Sequence, residues 1–177
     1  PGPDGVQPSP DDTFGSPGVV HSDAQNHYAP AATFGFQPQV GTRTAPSHLT
    51  AAWFPELFWD GRAASQFVDP VTHQVSIPGG GALESQSVEP PVNAAEMAHE
   101  QRDWGQIGNK LAHSRPLALA ANLPPDVTAA IAANPTYPQL FSAAFGSASI
   151  TAERIAFALA TYERTLVPDQ APWDRFQ

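Results

Sequence analysis

A chain of 177 residues has room for one domain, with or without an irregular arm. Its formal charge of −9 comes with only 8 Lys and Arg, which excludes a nucleic-acid binder, because phosphate neutralisation needs clustered cations. Cysteine is absent, so this chain by itself holds no disulfide, thiolate metal site or cysteine nucleophile. An acidic surface suits a basic partner, and it serves simple solubility equally well. No run approaches the roughly 18 apolar residues of a membrane-spanning helix. The sequence begins Pro1-Gly2, without methionine or signal peptide, and reads as a processed product, a cleaved piece or an incomplete chain.

The hydrophobic fraction is 41%, but many of these residues are alanine, so the core is expected to rest on Leu, Ile, Phe and Trp. Most of the 20 prolines and 13 glycines fall before residue 140, which predicts long loops in the first half. Residues 1–50 read as an irregular arm, and an aromatic stretch follows from Trp53 to Trp59, ending in Asp60-Gly61-Arg62. Residues 66–92 read as another loop. Its Gly79-Gly80-Gly81 lacks the Lys-Ser/Thr of a phosphate loop and is taken as flexible only.

Helical signals begin at Asn93, an N-cap candidate with Glu96 three residues on, the spacing of a capping box. Trp104, Ile107 and Leu111 then recur at three and four residues, as on one buried helix face. Pro125 suits a helix first turn, with Asp126 beside the positive end of the dipole. Tyr137 to Phe145 predicts another helix, closed by Gly146 at C′. Thr151 can cap a last helix, with Ile155, Leu159, Tyr162 and Leu166 as its apolar stripe and Pro168 as its stop. No segment alternates convincingly and no repeat is visible. The expected class is all-α with long Pro/Gly-rich loops.

Several short strings occur in one order. They are Arg43-Thr44-Ala45-Pro46-Ser47, Phe58-Trp59-Asp60-Gly61-Arg62-Ala63, and Glu84-Ser85-Gln86-Ser87-Val88-Glu89-Pro90-Pro91. After them come Ala95-Glu96-Met97, Tyr137-Pro138-Gln139-Leu140-Phe141 and Ala144-Phe145-Gly146. Tyr162-Glu163-Arg164-Thr165-Leu166-Val167 and Trp173-Asp174-Arg175-Phe176 complete the set. The series, over about residues 40–177, resembles the di-haem cytochrome c peroxidase family, which includes the maturation enzymes of methylamine dehydrogenase. Gly15-Ser16-Pro17-Gly18-Val19 resembles a longer-looped branch of the same family.

The resemblance implies the stretch between two Cys-x-x-Cys-His haem motifs, the first expected upstream of Pro1 and the second downstream of Gln177. Residues 51–177 would then be the remainder of the N-terminal, cytochrome c-like helical domain, ending near the interdomain junction and lacking its own haem attachment. The implied activity is that of a periplasmic peroxidase with two c-type haems. It would reduce hydrogen peroxide with electrons from a small donor, a cytochrome c or a cupredoxin. The implied partners include the missing haem-bearing segments or partner chains, and either a homodimer or a larger complex. A haem-free structural or interaction subunit is the alternative that the literal sequence offers.

By the same resemblance Glu96 matches the family's distal acid/base glutamate and Gln86 its neighbouring distal glutamine. The residues alone leave Glu96 equally well explained by the capping box, and Gln86 as a surface or loop-bracing side chain. Trp59 matches a tryptophan placed between the haems; alternatively Trp53, Phe54, Phe58 and Trp59 form an aromatic core cluster. Asp60 and Arg62 are expected to brace the turn that follows. The family often binds calcium through an asparagine at the position of Thr44, and threonine is a poorer calcium ligand than an amide. His21 and His27 lie where some members supply a second axial histidine to the N-terminal haem. No His pair has zinc spacing, and there is no nucleophile elbow.

Overall fold

The computed structural model describes residues 4, 6, 8–12, 14–23, 25, 27–41, 43–94, 96–99 and 101–176. The Pro1-Gly2 start lies outside them. Five α-helices, three short 3-10 helices and two small antiparallel sheets make up the described regular structure. The all-α expectation is therefore corrected. Strand β1 (Pro17–Val20) pairs with β2 (Pro38–Val40), with Pro17 opposite Val40 and Val20 opposite Pro38. Strand β3 (Phe67–Val68) pairs with β4 (Val75–Ile77), with Phe67 opposite Ile77. Strands of two to four residues are too short to show an alternating pattern in sequence, and both pairs sit among turn residues.

The helices are α1 (Ala82–Ser87), α2 (Trp104–His113), α3 (Pro125–Ala133), α4 (Tyr137–Phe145) and α5 (Ala152–Glu163). Several ends follow their sequence signals. Pro125 opens α3, Gly146 closes α4 at φ 72°, and Thr151 accepts a bond from the Arg154 amide at the start of α5. The expected start at Asn93 is wrong. Asp103 caps α2 and forms the capping box with Gln106, whereas the carbonyl of Asn93 accepts from the amides of Glu96, Met97 and Ala98 in a tight turn. Glu96 is thus released from any capping duty.

A second correction concerns the buried face of α5. Ala152, Ala156 and Ala160, spaced by four, are the buried residues, while Leu159 is 42% and Tyr162 63% exposed. Small side chains let α5 lie against α1, the most extensive helix–helix contact among the described residues. Around that contact Phe67, Val88 and Ala156 pack with Ile77, Trp104 and Phe157. Ala51, Leu83 and Ala160 pack with Leu57 on its other side. Gly81 is required there, because a Cβ on it would lie 2.8 Å from the Cβ of Phe67. Its amide donates to the Ser65 carbonyl at 2.7 Å, and that of Gly80 to Ser65 Oγ at 2.8 Å. The triple-glycine run is thus a tied-down entry to α1.

One ion pair locks this core. Arg164, just past α5, grips Glu84 of α1 with both terminal nitrogens, at 2.6 and 2.9 Å, and donates to the Gly80 carbonyl at 3.3 Å. Glu84 is only 3% exposed, so removing the guanidinium strands a buried charge. Arg164→Ala should lower unfolding free energy by about 2 kcal/mol, less than for a fully buried pair because the guanidinium is part-exposed. Chemical denaturation checks this, and a loss below about 0.5 kcal/mol would show that packing alone seats α1.

Candidate functional site

An open cavity of about 740 Å³ lies between the loop after β2, the aromatic stretch, α1, the turn that carries Glu96 and Met97, and the end of α5. That volume is within the usual range for a small-molecule or cofactor site. Val19, Ala45, Ala51, Leu57, Leu83 and Pro90 give it apolar walls. Glu96, Gln86, Trp59 and Thr44, four residues singled out from sequence, all line it.

Each reaches the cavity for a local reason. The turn on the Asn93 carbonyl brings Glu96 inward, where Arg43 donates to its Oε1 at 3.0 Å. Gln86 stands on α1 one turn from Leu83, so the Arg164–Glu84 lock sets its position. Trp59 follows Phe58, whose backbone is left-handed at φ 64°. The Arg62 guanidinium stacks 3.6 Å from the centre of the Phe58 ring, and it also holds Asp60 at 3.0 Å and Glu89 at 2.9 Å. The bracing of this turn by Asp60 and Arg62 is as expected, and it extends to Glu89 beside α1. Trp59 is 93%, Trp53 70% and Phe54 58% exposed, so these three do not form a core cluster.

His21 and His27 stay outside the cavity lining. They flank the Ser22–Tyr28 bridge, His21 Nδ1 lying 3.1 Å from the Ala29 carbonyl and His27 3.5 Å from Asp23. Thr44 lines the cavity, but among the described residues no group of three or more His, Asp or Glu is placed to hold a metal ion. Two lining residues carried no role in the sequence reading, His48 and Glu163. No local pattern marks them, because they are 115 residues apart and share the cavity only through tertiary packing.

Glu163 has an unusual carboxyl. Burial pushes its pKa above the ordinary glutamate value, His48 and Arg164 pull it down, and Glu84 pushes it up. Between the unfolded and folded pKa the folded state keeps a proton that the unfolded state releases, so stability falls as pH rises through that window. Glu163→Gln lacks this slope. Urea denaturation of both proteins from pH 4 to 8 should show the variant gaining on the wild type as pH rises; parallel curves would contradict the buried environment.

The cavity thus combines apolar walls with paired cations, an acid and an amide in one lining. Similarity to known proteins shows the family of the chain. The family model described as "Di-haem cytochrome c peroxidase" matches residues 20–177, and the chain belongs to that family. It is 31% identical over 134 residues to "Methylamine utilization protein MauG" of Methylophilus methylotrophus, covering 76% of this chain and 28% of that protein. It is 28% identical over 144 residues to "Cytochrome c peroxidase Ccp" of Escherichia coli, covering 81% of this chain and 22% of that one. With "Cytochrome c551 peroxidase" of Nitrosomonas europaea the identity is 26% over 144 residues, covering 81% and 31%. The chain thus spans less than a third of the length of each of these relatives. The cavity fits a haem ring in its apolar lining, with Arg43 and Arg62 as cations on its wall. It supplies no thioether attachment, since the chain has no cysteine.

Proposed function

We propose that this chain is part of a periplasmic di-haem cytochrome c peroxidase that reduces hydrogen peroxide with electrons from a small redox protein. One observation carries the reading: Glu96, Gln86 and Trp59, distant in sequence, face one cavity. Haem, when bound, would supply the redox chemistry of peroxide reduction. Ala45, Leu57, Leu83 and Pro90 would hold the ring.

The chain's own residues do the rest. The Glu96 carboxylate takes the proton from one peroxide oxygen and returns it to the other as that oxygen leaves. Arg43 keeps this carboxylate from swinging away. The Gln86 amide donates to the substrate oxygen and orients it. Trp59 offers an exposed π system beside the cavity to an electron route. A haem-free interaction subunit is the second reading, supported by the absence of cysteine.

An absorbance spectrum and peroxide turnover of the native protein separate the two. The peroxidase reading expects a Soret band, and Glu96→Gln should keep that band while losing about 10²–10⁴-fold in kcat. Native material without a Soret band supports the haem-free subunit instead.

A further inference from the structure

Reduction of hydrogen peroxide consumes two protons with its two electrons, and Glu96 only moves one proton between the two oxygens. A group that brings protons in from solvent is still needed. Among the charged residues lining the cavity, most are already engaged. Arg43 holds Glu96 at 3.0 Å, and Arg62 is shared between Asp60 and Glu89.

Glu163 differs. It is half-buried at the last residue of α5, and among the described residues its carboxyl takes part in no hydrogen bond or ion pair. The charged groups acting on it are His48 from the loop after β2, Arg164 beside it and Glu84 from α1. Both terminal nitrogens of Arg164 are committed to Glu84 and the Gly80 carbonyl. His48 lines the same cavity and is exposed to solvent.

We propose that His48 and Glu163 form a proton-entry relay for this cavity, a role that rests on the peroxidase reading above. The balance is H2O2 + 2 e− + 2 H+ → 2 H2O. Two molecules of the small redox protein are each oxidised by one electron, and the O–O bond breaks. Each consumed proton passes from solvent to the His48 imidazole, then to the Glu163 carboxylate, and through cavity water to the departing oxygens. Burial of Glu163, which favours its protonated form, suits a group that takes up a proton and passes it on.

Two measurements on the same protein test this. In pH-dependent difference infrared spectra, wild type minus Glu163→Gln, a carboxyl band should titrate above the ordinary glutamate range. It should move further up in His48→Ala, which removes a positive neighbour. In peroxide turnover at neutral pH, Glu163→Gln should lose at least about tenfold in kcat, with the Soret band and the KM for the electron donor unchanged. Glu163→Asp should recover part of the loss with a displaced pH profile. His48→Ala, altered at an exposed loop, should show its own drop and serves if Glu163→Gln fails to fold. A carboxyl titrating in the ordinary range, or variants matching the wild type at every pH, overturns the relay and leaves the peroxidase reading standing. A wild type that carries haem but turns over no peroxide overturns both.

Discussion

The buried grip of Arg164 on Glu84 is the constraint from which the site follows. Helix α1 has six residues, too few to be stable on its own. It exists because α5 packs against it through alanines and because a bidentate ion pair fixes its rotation. That rotation places Leu83 and Gln86 on the cavity wall and buries Glu84 behind them. The same chain segment, at the end of α5, presents Glu163 to the cavity. One lock therefore positions two of its polar groups.

The remaining charges are arranged by the same logic of pairing. Arg43 crosses 53 residues of sequence to meet Glu96, tying the loop after β2 to the turn at Asn93. Arg62 joins the aromatic turn to Glu89 at the exit of α1. Each guanidinium thus staples one cavity wall to another, and each also removes a carboxylate from free exchange with water. Part-exposed pairs of this kind contribute little stability individually. Their value lies in geometry, since they hold loops that have few apolar contacts of their own.

Much of this was legible in the sequence, for different reasons in different places. The ordered motif strings identified the family, and they picked out Glu96, Gln86, Trp59 and Thr44, which share a cavity in the fold. Local helix rules were right where a cap and a stop agreed, as at Thr151 and Gly146. They failed at Asn93, because the capping-box pattern recurs at Asp103 and Gln106, where the Trp104 stripe reinforces it. They failed again on α5, where hydrophobicity pointed to Leu159 and Tyr162. Close approach to α1 instead selected the alanines, a tertiary preference that a single helix cannot reveal. His48 and Glu163 were invisible for the same reason.

Phe58 shows how local cost and function are joined. A left-handed backbone at an aromatic residue is disfavoured by about 1–2 kcal/mol. Three contacts offset it: the Arg62 guanidinium on the Phe58 ring, and the bonds from Arg62 to Asp60 and Glu89. Trp59 follows directly, at the cavity and 93% exposed. Strain that is maintained by three separate interactions, with an apolar side chain left in water as the result, is hard to explain by stability. It fits the electron route proposed above for Trp59, which requires the indole to be held beside the cavity.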